Sequence, residues 1–401
     1  MGLTSTLEKN KDTNLSNKDL IKGSIAVALE HSYALACWSA PESDAWNILL
    51  DPNPVTLEAN ETPCIHTLDT GFLIAPFKAE EKKYFIRNCV QISSDKTINY
   101  TVQKGFESIL DEIKNASTRT TSLANLNAFI EVKKQSENYQ SIVEVAKELI
   151  QTEDLQKVVL ARTKTYRGEI HELEETFISL REQFPLACIV LFYHPDTGLW
   201  ISATPELLLS TSADGTFKTV ALAGTQKFDA SVPIREVSWT HKEIEEQALV
   251  SRYIINCFKT IRLRDYVEQG PRTVQAGNLL HLKTEYTAHT AEVNMEELGS
   301  TMLKLLHPTS AVCGMPKKQA LDFITKHEAF DRKLFSGYCG PVNMNNETAL
   351  YVTIRCAQVF SNAVTMYAGA GITADSVAQK EYEETDLKMD VIGKAFSNLN
   401  S

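Results

Sequence analysis

Between residues 157 and 227 the chain strings together four apolar runs: KVVLARTKTY, ACIVLFY, LWISATPELLLSTS and FKTVALAGT. Pro195-Asp196-Thr197-Gly198 joins the second run to the third, and Asp214-Gly215 joins the third to the fourth. Both carry the turn chemistry of hairpins. Strands joined by tight turns run antiparallel, whereas parallel strands need a long crossover at every step. A β-meander is therefore expected here, and a doubly wound dinucleotide-binding sheet is not. Gly369-Ala370-Gly371 does not restore that fold, since it lacks a third glycine and follows the last strand rather than the first.

Helical spacing surrounds the meander. Ile142, Val145, Ala146, Leu149 and Ile150 predict a helix over 139–151. Further helices are expected near 172–184, 241–263 (capped at Trp239-Thr240), 293–306, 316–329 and from about 376. GYCGPVN, ALYVTIRCA and AVTMYAGAG predict three more strands. The fold class is then α+β and sandwich-like, with large antiparallel sheets covered by helices. Residues 1–20 are expected as a flexible tail and 21–130 as a strand-rich N-terminal part of the same fold. The Ser/Thr-rich stretch NASTRTTSLAN is a linker candidate near 115–125, ahead of a denser region over 131–401. One large domain is expected overall.

The balance of 40 basic against 51 acidic residues leaves a formal charge of −11. That argues against a nucleic-acid binder, which needs a basic face. It leaves room for a cation held by carboxylates. The eight cysteines form no C-x-x-C pair and sit in apolar surroundings, as in PLACIVLFY, which reads as a reduced cytoplasmic protein. The polar start shows no signal or transit pattern, and no apolar run is long enough to span a bilayer.

Several residues interrupt the pattern in ways that suggest chemistry. Glu243 and Glu246 are three apart in HKEIEEQ, and Glu381 and Glu384 repeat the spacing in EYEETDLK. Like charges on one helix face cost stability. They are either solvated surface faces or an oxygen-only cage for a hard cation such as magnesium, since no His or Cys accompanies them. Lys157 opens the run KVVLAR, either as a strand-end lysine reaching solvent or as a desolvated amine serving as general base. Glu206, between Pro205 and three leucines, is either turned outward or held protonated as a general acid. Arg355 interrupts an apolar strand and needs a carboxylate partner, from the protein or from a ligand. The glycines of MYAGAGI form either a plain turn or an approach to an anion. His307, in LHPTSAVCGMP, reads alone as a satisfied structural histidine.

Taken in order, KVVLAR, SATPELLL, ALAGT, HKEIEEQ, LHPTSAVCGMP, FDRKLFSGYCG, VTIRCA, YAGAGI and EYEETDLK resemble the chorismate-binding enzymes over roughly residues 135–395. In that family the members that add water carry Lys in the KVVLAR motif, where anthranilate synthases carry Gln. The lysine nucleophile of the aminodeoxychorismate synthases is Ala223 here, before Gly224-Thr225. LHPTSAVCGMP resembles the isochorismate synthase form, with Ser310 in place of the usual Pro. The resemblance implies an isomerase in which Lys157 activates water for attack on C2 of chorismate and Glu206 protonates the departing C4 hydroxyl. It implies magnesium on Glu246 and Glu384, with Glu243 and Glu381 at water-mediated distance. It further implies substrate binding by Arg355, Gly224, Thr225, His307, Gly369, Ala370, Gly371 and Lys388. A cytoplasmic monomer without nucleic-acid or membrane partners is expected, serving either menaquinone or siderophore synthesis.

Overall fold

The computed structural model describes residues 4, 5 and 15–396, except 96, 120, 131–138, 153, 277–278 and 291–296. Two sheets face each other. The larger runs in space Thr4–Ser5, Thr97–Gln103, Val90–Asp95, Trp46–Asp51, Ala34–Ser39, Cys188–His194, Gly198–Thr204, Cys356–Val359, Ala363–Ile372, Lys157–Arg167, Gly314–Met315. The smaller runs Val267–Ala276, Leu279–His289, Thr216–Lys227, Leu207–Thr211, Thr348–Val352, Tyr338–Val342, Gly71–Ala75, Lys83–Arg87, Val55–Leu57. Neighbours along each sheet are antiparallel, as the hairpin turns required, and strands from the first 103 residues help to build both sheets.

Trp200, Phe72, Phe192, Cys339, Tyr351 and Tyr367 fill the layer between the sheets. The helices Asn17–His31, Glu107–Ala116 and Leu173–Gln183 pack on the outer face of the larger sheet, and His241–Thr260 and Leu298–Leu306 on that of the smaller. Covering both faces explains why Ala34–Ser39 and Cys188–His194 are buried at every position and read as unbroken apolar runs rather than alternating ones. Tyr139–Gln151, Lys317–His327 and Ala378–Gly393 gather at the Lys157 end of the Lys157–Arg167 strand.

The expected helices are present, with Leu298–Leu306 as the described part of the one placed at 293–306. The N-terminal helix begins at Asn17, capped by Ser16, and buries Leu20 completely, so the last residues of the expected tail are ordered core. Residues 1–3 and 6–14 of that tail lie outside the described residues, as do 131–138 at the expected boundary.

Two strands differ from expectation. LWISATPELLLSTS is broken at Pro205-Glu206, where the chain leaves the larger sheet for the smaller. Pro205 cannot donate to a ladder. ALYVTIRCA is broken at Thr353-Ile354-Arg355, where the chain crosses back, with Arg355 at φ 48°. The crossings lie side by side. Val352 N donates to Glu206 O at 3.0 Å, Ala203 N to Arg355 O at 3.0 Å, and Ser202 Oγ to Ile354 O at 2.8 Å.

A buried ion pair ties the Lys157 strand to its surroundings. Arg332 donates to both oxygens of Glu328, and also to Val312 O at 2.8 Å and Val159 O at 2.7 Å, while Glu328 accepts from Ala161 N at 2.8 Å. Arg332→Met would strand the Glu328 charge in the interior. It is expected to cost about 3–5 kcal/mol, read as a lower denaturation midpoint at unchanged m-value.

Candidate active site

Lys157 is the first residue of its strand and has no exposed surface. Its Nζ lies 2.8 Å from Oε1 of Glu246, on the helix His241–Thr260. Opposite them Gly371 continues the neighbouring strand; a Cβ there would stand 2.4 Å from Glu246 Oε1 and 3.0 Å from Lys157 Cε. The glycine is thus required for clearance, not for a turn. Burial alone would raise the Glu246 carboxyl, but Lys157 and Lys242 outweigh it and hold the pKa at about 2.

The sheet crossing supplies the next two groups. Glu206 is 4 % exposed. Burial pushes its carboxyl up to about 7, against the opposing pull of Lys157, Lys388 and Arg355. Arg355 is also buried, which lowers its guanidinium to about 10 despite Glu384 and Glu206. Among the described residues it has no carboxylate within ion-pair reach; its hydrogen bond goes to His281 Nε2 at 3.4 Å. Burial and then Arg355 push His281 down to about 3, so the ring is neutral. The network assigns its tautomer: Nδ1–H donates to Gly224 O at 2.7 Å and Nε2 accepts from Arg355. Arg355 is thus a buried cation whose one described partner is a neutral imidazole, which leaves guanidinium N–H groups available to an anion.

The acidic pairs are drawn together by lysines. Lys242 Nζ lies 2.7 Å from Glu381 Oε1 and 3.9 Å from Glu384 Oε2, while Glu384 Oε1 accepts from Lys388 at 2.6 Å. The second Glu381 oxygen is buried without a hydrogen-bond partner. Burial raises the Glu381 carboxyl, and Lys242 opposes that rise. The donors of Glu246, Glu381 and Glu384 are all oxygen, the chemistry a hard divalent ion takes, but here lysines stand between them: Lys157 at Glu246 and Lys242 at Glu381 and Glu384. Glu243 does not join them. Its carboxylate accepts from Thr240 N at 2.9 Å and from the Thr240 hydroxyl, completing a capping box at the helix start.

Glu206, Glu246, His281, Arg355, Gly224, Thr225, Gly369 and Lys388 line one cavity of about 600 Å³, counting its mouth. Lys388 donates to Gly369 O at 2.9 Å. A residue's N–H and C=O point to the same side of a strand, so the Gly369 N–H also faces away from the Lys157 strand. Ala370 is buried and, like Gly371, does not line the cavity. His307 is likewise absent from the wall. Its Nε2 is 3.0 Å from Pro76 O and its ring meets Tyr338 edge-on, so it is a structural histidine. Burial keeps it neutral, with its pKa at about 3.

Sequence reasoning missed His281 and Lys242. The first sits in NLLHLKTEY as one polar residue in a strand, and the second inside HKEIEEQ, where the carboxylates drew the attention.

A family profile described as chorismate binding enzyme matches residues 73–397. The chain belongs to that family. It is similar to the isochorismate synthase EntC of Escherichia coli, 27 % identical over 348 residues, spanning 80 % of this chain and 85 % of that one. It is also similar to anthranilate synthase component 1 of Haloferax volcanii, 27 % identical over 267 residues, 63 % of this chain and 49 % of that one. The fold matches a crystal structure described as a putative 2,3-dihydroxybenzoate-specific isochorismate synthase from Bacillus anthracis. That match has a TM-score of 0.73 at 23 % identity and covers 96 % of this chain and all of that one. The menaquinone-specific isochorismate synthase MenF of Escherichia coli gives the same TM-score at 18 % identity, over 99 % and 94 % of the two chains. Among the described residues no helix is long and apolar enough to cross a membrane.

Glu206 also makes stability depend on pH. Its folded pKa of about 7 lies above the ordinary 4.5, so between those values the folded chain keeps a proton that the unfolded chain loses. Its contribution is therefore complete below pH 4.5 and fades as pH rises to about 7. Glu206→Gln is expected to remove that loss, on the order of 2–3 kcal/mol, when denaturation is compared at several pH values.

Proposed function

We propose that the protein is an isochorismate synthase, converting chorismate to isochorismate by adding water at C2 and expelling the C4 hydroxyl. The observation that carries this reading is one cavity wall that brings Glu206 and Arg355 together with Glu246, which is in contact with the buried Lys157. The similarity to EntC over most of both chains supports the same reaction.

In the proposed reaction Lys157 takes a proton from water as the oxygen bonds to C2. Glu206 gives its proton to the C4 oxygen, which leaves as water. One water enters and one departs, so the substrate is isomerised. Exchange with solvent resets the two proton carriers. Contact with Glu246 fixes Lys157 Nζ within the buried site before substrate arrives. Arg355, held by His281, and the Gly369 N–H receive carboxylate oxygen in an otherwise acidic protein. Glu246, Glu384 and Glu381 would hold magnesium, whose charge would favour binding of the ring carboxylate. Lys242 would have to yield its place among them.

The Haloferax volcanii relative keeps an ammonia-using reaction in view. Lys157 in the KVVLAR motif favours water. A salicylate synthase would carry out the same first step and then eliminate pyruvate.

Incubation with chorismate and Mg²⁺, followed by chromatography, is expected to give isochorismate. Salicylate with pyruvate, or an aromatic amine in the presence of ammonium, would overturn the assignment. Lys157→Ala and Glu206→Gln are each expected to lower turnover by about 10²- to 10⁴-fold; near-normal turnover in Lys157→Ala would rule out that base. Activity is expected to decline as pH rises through about 7, where Glu206 loses the proton it must donate, and Glu206→Gln should lack that limb. Chelation by EDTA is expected to abolish activity and Mg²⁺ to restore it. Full turnover in metal-free buffer would refute the carboxylate cage.

A further inference from the structure

The loop before the strand Gly71–Ala75 carries Cys64-Ile65-His66. Ile65 is buried against the start of the helix Leu298–Leu306 and anchors the loop there. The anchor depends on Gly299, where a Cβ would stand 2.9 Å from Ile65 Cδ1 and from Thr211 Cγ2. Asn343 Nδ2 fixes the loop from the other side, donating to Ile65 O at 2.9 Å and Leu68 O at 2.7 Å. Cys64 and His66 are thereby set beside Glu297 and Ser300. Cys64 Sγ is 3.2 Å from His66 Nδ1, His66 Nδ1 is 3.3 Å from Ser300 Oγ, and His66 Nε2 is 3.5 Å from Glu297 Oε1. One ligating atom from each of Cys64, His66 and Glu297 lies within 4.8 Å of the others.

We propose that Cys64, His66 and Glu297 form a second metal site, outside the chorismate cavity, that takes a borderline divalent cation such as Zn²⁺. Thiolate, imidazole and carboxylate are zinc donors, and three protein ligands with one open position are a known zinc arrangement. The all-oxygen set of Glu246, Glu381 and Glu384 suits a hard ion instead, so the two sites sort metals by softness. As the sulfur–metal bond forms, the Cys64 thiol releases its proton to solvent. The ligands come from distant parts of the chain, so the cation would cross-link the loop to the helix Leu298–Leu306. That helix leads through His307 to Ala311 and Val312 on the wall of the substrate cavity. The site thus offers a brace for that wall.

Cobalt is the probe of choice, because a thiolate ligand produces a sulfur-to-cobalt charge-transfer band that carboxylates cannot give. The other seven cysteines are buried, so the band reports on Cys64. Titrating the reduced, metal-free full chain with Co²⁺ is expected to raise this band to saturation at a single equivalent, with Zn²⁺ displacing it. Cys64→Ser and His66→Ala are expected to abolish it while circular dichroism stays native. Ser300→Ala, which frees the imidazole, should weaken binding about tenfold. Zn²⁺ is expected to raise the Tm of the wild-type chain and not that of Cys64→Ser. Absence of the band at saturating cobalt, or its persistence in Cys64→Ser or His66→Ala, would overturn the proposal whatever reaction the cavity performs.

Discussion

The site depends on two stretches of chain that change sheets side by side. Backbone groups in the space between two packed sheets have no water to turn to, so a lone crossing would leave several of them unpaired. Here the Pro205-Glu206 and Thr353–Arg355 crossings satisfy each other through the Val352–Glu206, Ala203–Arg355 and Ser202–Ile354 hydrogen bonds. This arrangement carries an acid and a guanidinium into the interior on rigid backbone. The positive φ of Arg355 is part of how the chain turns there.

Charge balance then shapes the cavity. Glu206, Glu246, Glu381 and Glu384 meet Lys157, Lys242, Lys388 and Arg355 within a small buried volume. Their fates differ because their neighbours differ. Glu246 touches a lysine and stays ionised, whereas Glu206 feels its cations from farther away and keeps its proton near neutral pH. Burial penalises every charge in the group, so each side chain's protonation follows from which partner it reaches. Arg355 is held by a neutral histidine and not by a carboxylate, so among the described residues no carboxylate takes the place an anion would need.

Much of this was legible in the residues. Hairpin turns at Pro195–Gly198 and Asp214-Gly215 specified antiparallel sheets, and the helical periods placed helices that the structure contains. Lys157, Glu206 and Arg355 stood out because charge at or within an apolar run needs a reason, and Glu246 and Glu384 because like charges recur three apart on one helix face. The resemblance put Glu243 near the metal and His307 at the substrate, although His307 read by itself as a structural histidine. One turned to Thr240 and the other to Pro76 and Tyr338. Lys242 and His281 escaped notice because each acquires its role only through a partner far away in the chain.

The sequence alone determined the antiparallel class, the helical cover and the set of ionisable residues embedded in apolar surroundings. These follow from local turn chemistry, side-chain periodicity and the cost of burying charge. Tertiary structure alone decided that two apparent strands would each split between sheets, that Gly371 would make room for the Lys157–Glu246 pair, and which carboxylates would face one another. Those outcomes rest on contacts between segments separated by scores of residues, where long-range packing rather than local preference sets the geometry.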